Sequence, residues 1–91
     1  MAVMVTAEVP GQTPQGYDGM IAALSGPLSQ AKGFIAHWSH PIEGGWRVYE
    51  LWATPDDATQ WFAKYVHPNL PPGVTPKRSF QELHNVISAT G

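Results

Sequence analysis

The order of apolar patterns in this chain of 91 residues predicts an α+β fold. It is a ferredoxin-like βαββαβ domain, a four-stranded antiparallel sheet with two helices on one face. Three observations predict it. Four segments alternate their side chains with a period of two, and two intervening segments repeat apolar residues at helical spacing. Both helical segments also open on the same pair, Thr13-Pro14 and Thr54-Pro55. The two halves share one plan, and residues 1–91 read as a single domain.

In the first segment, Ala2 to Val9, Val3, Val5, Ala7 and Val9 alternate against Met4, Thr6 and Glu8, and Pro10-Gly11 ends the strand. Thr13 then supplies an N-cap, and Pro14 takes the first helical position, where a missing N–H costs nothing. Tyr17, Met20, Ile21 and Leu24 form one apolar helix face. Gly16 and Gly19 weaken the helix, so it depends on packing, and Ser25-Gly26-Pro27 is expected to break or restart it before a last turn over Leu28 to Lys32.

Gly33 to His40 alternates again, turn chemistry follows over Pro41 to Gly44, and the segment Gly45 to Ala53 completes an antiparallel hairpin. That second strand, GWRVYELWA, sets Trp46, Val48, Glu50 and Trp52 against Arg47, Tyr49, Leu51 and Ala53. An even register would join Phe34, Trp38, Trp46 and Trp52 into an aromatic wall that also holds His40 and Glu50. Thr54-Pro55-Asp56-Asp57 starts the second helix with two carboxylates in the first turn, where the helix dipole favours them. Ala58, Trp61, Phe62 and Tyr65 are its apolar stripe, and Pro68 limits it near His67. A stiff loop with four prolines, PNLPPGVTPK, leads to a last strand over Arg78 to Ile87 and a tail, Ser88 to Gly91.

Composition excludes several classes of function. Five Lys and Arg stand against seven Asp and Glu, with no basic run to neutralise phosphates, so nucleic acid is not an expected partner. With no cysteine there are no disulfides, thiolate metal sites or cysteine nucleophiles. The N-terminus lacks the form of a signal peptide and no apolar run reaches the ~18 residues of a membrane span, so a cytoplasmic protein with no membrane partner is expected. A four-stranded sheet with both helices on one face leaves its second face bare. Ile35, Tyr49 and Leu51 make that face apolar here, which predicts that a second copy covers it in a homodimer, with His37, Arg47, Tyr49 and Leu51 at the interface.

The segment GFIAHWSHPIEGGWRVYELWATPDD, with the short strand before it and FQELHNVI after it, resembles the dimeric α+β barrel superfamily, in its antibiotic-biosynthesis-monooxygenase-like branch. The resemblance spans about residues 2 to 87, and its most specific part is the strand ending in Trp52 that runs into a capped helix. It implies a dimeric barrel. Members include cofactor-independent oxygenases of aromatic polyketides, haem-degrading oxygenases and muconolactone-type isomerases. The quinone-forming members use a strand asparagine near the matching Trp, whereas the asparagines here are Asn69 and Asn85. The haem-degrading members carry a ligating His in the second helix where this chain has Phe62, and His67 is the nearest alternative for a haem.

Among candidate site residues, Glu50 stands between Val48 and Trp52, where a carboxylate loses hydration and can serve as general acid or base. The competing reading is a structural pairing with Arg, His or a hydroxyl. His40 and His84 share parity with apolar faces and are candidate proton shuttles, against the alternative of hydrogen-bonded structural histidines. Trp38, Trp52, Trp61, Phe62 and Tyr65 are candidate substrate-binding residues. His37 and His40, three apart on a strand, point to opposite faces and cannot chelate one ion, so no metal site is expected. The function expected is a cofactor-independent enzyme acting on an aromatic or polycyclic small molecule, by monooxygenase-like oxidation or by isomerisation or cyclisation, in an aromatic-lined pocket. The alternatives are a non-catalytic dimeric module that binds a hydrophobic ligand, and a structural oligomer whose aromatic faces are all core.

Overall fold

The structure, a computed structural model, describes residues 1–89. Its elements run β1 (Val3–Pro10), α1 (Pro14–Ser29), β2 (Phe34–Ile42), β3 (Gly45–Trp52), α2 (Pro55–Trp61) and β4 (Lys77–Glu82). All strand pairs are antiparallel, in the order β2-β3-β1-β4, with β2 and β4 at the edges. This is the ferredoxin-like arrangement. Among the described residues no helix is long and apolar enough to cross a membrane. The last two positions of the expected tail, Thr90 and Gly91, lie outside the described residues.

Both Thr-Pro pairs act as helix caps. Thr13 and Thr54 are extended, and their hydroxyls accept from the amides of Gly16 at 3.0 Å and Asp57 at 3.1 Å. The expected break at Pro27 does not occur. The helix continues to Ser29 with Pro27 inside it, because Pro27 and the Ala23 carbonyl it deprives of a donor both lie on the exposed side, where solvent can satisfy that carbonyl. The second helix runs on past Trp61 as a π-helical turn, Phe62–Val66, and a short 3-10 turn, His67–Asn69.

The core lies between the sheet and the helices: Val3, Val5 and Trp52 from the sheet pack against Leu28 of α1 and Ala58 and Trp61 of α2. Trp52 is wholly buried, and Phe34 meets it edge-on at 5.5 Å between ring centroids. The hold on α1 is uneven. Leu28 is its one buried residue, while Tyr17, Met20, Ile21 and Leu24 are half-buried.

Two expectations about the strands are corrected. The hairpin register is not even: Phe34 pairs with Trp52 but Ala36 pairs with Leu51, so β2 carries one extra residue, Ile35, in a β-bulge. Beyond the bulge every side chain of β2 changes face. His37 joins Glu50 beneath the helices, while Trp38 and His40 join Tyr49 and Arg47 on the outer face. The last strand stops at Glu82 and not at Ile87, since its partner β1 begins at Val3 and the final rung, Leu83 N–H to the Ala2 carbonyl at 2.9 Å, exhausts it.

At Gly33, φ is +81° and a Cβ would collide with the Asp57 side chain. Gly33→Ala should therefore lower the unfolding free energy by at least ~1–2 kcal/mol, read as a lower midpoint in chemical denaturation.

Candidate functional site

β2 and β3 place His37 and Glu50 side by side on the helix-covered face, and α1 brings Tyr17 over them from its first turns. His37 Nδ1 is 2.8 Å from Glu50 Oε2, His37 Nε2 is 2.7 Å from the Tyr17 hydroxyl, and Trp52 Nε1–H donates to Glu50 Oε1 at 2.9 Å. An ionised carboxylate can only accept, so the proton of the neutral imidazole sits on Nδ1 and Nε2 accepts from the phenol. The chain of hydrogen bonds thus runs from Tyr17 through His37 to Glu50, with Trp52 fixing the far oxygen. The side chains of His37 and Glu50 are 16% and 15% exposed, so each needs the other as a partner.

Tyr17 is held by its ring. It stacks on Trp46 at 5.0 Å between centroids, which leaves the hydroxyl aimed at the imidazole. Burial pushes the Tyr17 phenol above the ordinary tyrosine range, and the negative charge of Glu50 adds to the rise, while the Ser39 hydroxyl acts the other way. At neutral pH Tyr17 is therefore a donor. Burial also lowers the Arg78 guanidinium, against the opposing pull of Glu50, yet it remains a cation at neutral pH.

These groups open on a cleft between the sheet and the helices. Its walls are apolar: Val5, Ala7 and Val48 below, Met20, Ile21 and Leu24 from α1, and Trp61, Phe62 and Val66 from α2 and the π turn. The cavity it encloses is about 80 Å³. A second, larger cavity of about 390 Å³ adjoins it beneath the proline-rich loop, lined by Phe62, His67, Leu70, Val74, Thr75 and Arg78 among others.

Of the residues singled out in the sequence, Glu50, Trp61 and Phe62 line the cleft. The other catalytic and substrate-binding candidates are placed elsewhere. His40 and Trp38 lie on the outer face because of the bulge. His40 Nδ1 bonds the Pro41 carbonyl at 2.9 Å and Nε2 meets the Tyr49 hydroxyl at 3.0 Å, while Trp38 stacks on Tyr49 at 5.5 Å. His84 is exposed beyond the end of β4, since no strand continues there to orient it. Trp52 is core and meets the site only through its bond to Glu50, and Tyr65 packs on Trp61 at 4.5 Å without lining the cleft. His37, expected at a dimer interface, is in the cleft, whereas Arg47, Tyr49 and Leu51 are on the outer face. Sequence reasoning passed over Tyr17 and Arg78. A phenol inside an otherwise aliphatic helix stripe was the available signal for the first, and an arginine sharing the strand parity of Phe80 for the second.

No His, Cys, Asp or Glu cluster of three or more that could hold a metal ion occurs among the described residues. For a haem, the cleft offers no free imidazole nitrogen: both nitrogens of His37 are engaged, and His67 opens on the outer cavity at the exposed end of the helix. The donors present do not fit an axial ligand inside the cleft.

A four-stranded ferredoxin-like sheet with a cleft under two helices is a fold this chain shares with solved structures of low sequence identity. Among solved structures, the chain is similar to SnoaB, a cofactor-independent oxygenase from Streptomyces nogalater, with a TM-score of 0.64 and 13% identity over 94% of this chain and 96% of that one. It is also similar to MhuD, a haem degrader from Mycobacterium tuberculosis seen with two haems in its active site, with a TM-score of 0.59 and 16% identity over 97% of this chain and 100% of that one. At these identities the likeness is one of fold. No protein-family model matches the sequence, and no curated protein matches it by sequence.

The raised Tyr17 phenol gives a direct check. In an ultraviolet pH titration, the difference between the wild-type protein and Tyr17→Phe should show a phenol ionising above the ordinary value of 10.0. Because the folded-state value is the higher one, the folded protein holds this proton more tightly. Its contribution to stability is full below the unfolded value and is lost as pH rises through the raised folded one, a loss that Tyr17→Phe should remove from the alkaline unfolding profile.

Proposed function

We propose that this chain is a cofactor-independent enzyme of monooxygenase type acting on an aromatic or polycyclic small molecule, with the His37-Glu50 pair as its base. The observation that carries this reading is the pair itself: an imidazole oriented by a carboxylate, whose second oxygen is held by Trp52, opening on an apolar cleft. Glu50 keeps the proton on Nδ1 and stabilises the imidazolium that forms when Nε2 takes up another. Tyr17 donates to Nε2 at rest, so it must turn aside to expose the base or itself relay the proton.

A substrate whose C–H is made acidic by flanking aromatic rings and a carbonyl gives up that proton to His37 and becomes a delocalised carbanion. Such a carbanion reacts with dioxygen directly: a CH2 group and O2 become a carbonyl and water, with substrate as the only reductant. The apolar walls favour the delocalised anion over a hydrated one, and the Tyr17 hydroxyl is placed to donate to a developing oxyanion. The fold neighbour SnoaB, a cofactor-independent oxygenase, supports this choice among the proton-transfer reactions open to the site, isomerisation and cyclisation being the others. The enclosed volume of about 80 Å³ is below the ~300–1,000 Å³ of most ligand pockets. Binding therefore requires α1 to move outward, and its stripe Met20, Ile21 and Leu24, half-buried and anchored chiefly by Leu28, is the wall that can give.

With an anthrone as substrate, Glu50→Gln and His37→Gln should each lower turnover by a factor of about 100 to 10,000. Product formation should also stop when air is replaced by argon. An unchanged rate under argon removes the oxygenase reading, and ligand binding with no turnover by wild-type protein leaves a non-catalytic binding module.

The outer face supports a homodimer. Trp38, 42% exposed, shares that face with Tyr49, Leu51 and the Arg47-Glu8 ion pair, and the bulged Ile35 is 46% exposed. Sedimentation should give twice the chain mass of 9.9 kDa, and Leu51→Arg, which puts a charge at the centre of the face, should return the monomer.

A further inference from the structure

Among the described residues, Arg78 is the one charged side chain that lines both cavities. Its guanidinium lies 3.9 Å above the centre of the Phe62 ring and 5.1 Å from that of Phe80, sandwiched at the boundary between the inner cleft and the outer cavity. Among the described residues the ion pairs are His37-Glu50 and Arg47-Glu8, and neither includes Arg78. The contrast with Arg47, which pairs with Glu8 at 2.8 Å, is informative. A half-buried guanidinium has lost part of its hydration, and stacking on a ring replaces only its face, not the in-plane N–H donors of its edge.

Among the described residues the carboxylate that pulls on Arg78 is Glu50, and the two make no ion pair. It is the one carboxylate among the described residues that lines the cleft, and its two oxygens are engaged by His37 and Trp52. Among the described residues the outer cavity is lined by no carboxylate, and its titratable groups are Arg78 and His67. Its volume, about 390 Å³, falls in the range of small-molecule pockets.

We propose that Arg78 anchors the carboxylate of a small aromatic acid in the outer cavity, with the ligand's ring system lying along Phe62 toward the inner cleft. The planar fork of a guanidinium matches a carboxylate in two parallel N–H···O bonds, which a lysine cannot reproduce. Phe62 begins the π turn, so the ring that backs the guanidinium sits at the irregular point of the helix, where the wall between the cavities is made. This assignment deepens the enzyme reading above and rests on it for the location of the ligand: the carboxylate end is held by Arg78, and the reactive carbon lies on the His37 side.

The test uses calorimetric titration of the full chain with two matched probes, naphthoate and its neutral isostere naphthamide. Wild-type protein should bind the acid at least about 10-fold more tightly than the amide, the ratio expected for charge-assisted hydrogen bonds. Arg78→Met, which keeps an unbranched apolar stem without the charge, should bring the two within about 2-fold, chiefly by weakening the acid. Arg78→Lys should keep part of the preference, and circular dichroism of both variants checks that they fold. Equal affinity of acid and amide for the wild type, or a preference for the acid that survives in a folded Arg78→Met or Arg78→Lys protein undiminished, overturns the anchor while the cleft stands as a ligand site. Binding of neither probe overturns both.

Discussion

One extra residue in β2 decides which side chains meet under the helices. In a flat ladder, alternation would carry Trp38 and His40 to the same face as Phe34, and the cleft would hold a tryptophan and no oriented base. The bulge at Ile35 reverses the parity of everything after it, while Phe34 keeps its packing against Trp52. His37 is thereby set directly opposite Glu50, and the Trp38-Tyr49 stack is turned outward. The polar centre of the cleft and the aromatic character of the outer face follow from that displacement.

Two kinds of support keep the centre in place. Below, the wholly buried Trp52 belongs to the core and also donates to Glu50, so the orientation of the carboxylate is tied to the best-packed ring in the protein. Above, Tyr17 reaches His37 from a helix that is held mainly at its far end by Leu28. The sheet side of the site is thus built on the buried core, whereas the helix side is half-buried. On the function proposed, that difference would let the His37-Glu50 pair keep its geometry while α1 gives way to a ligand. Arg78 is placed at the other limit of the cleft, at the boundary with the larger cavity, and carries the charge that the apolar walls lack.

Most of the fold was legible from periodicity and punctuation. The Thr-Pro caps, the alternating segments and the second helix's stripe all lie where local chemistry puts them. Local rules failed at Pro27, where exposure made a helix-breaking residue tolerable, and at the last strand, whose apolar alternation continues past the point where β1 has any backbone left to pair. Of the site, Glu50 was legible because a carboxylate amid Val48 and Trp52 is conspicuous on one strand. Its partner was not, since His37 and His40 are equivalent candidates until the register between two strands is known.

The amino-acid sequence by itself determined the order of elements, their approximate bounds, the single-sheet architecture and the presence of one carboxylate on an apolar strand face. These depend on propensity, capping and hydrophobic period, which act over a few neighbouring residues. Tertiary structure decided which histidine meets that carboxylate, that a tyrosine from α1 completes the chain of hydrogen bonds, and that Arg78 stacks on Phe62 and joins neither ion pair. Each of those is a relation between segments far apart in the chain, and a shift of one residue in strand pairing, invisible to local pattern, exchanges one face of a strand for the other.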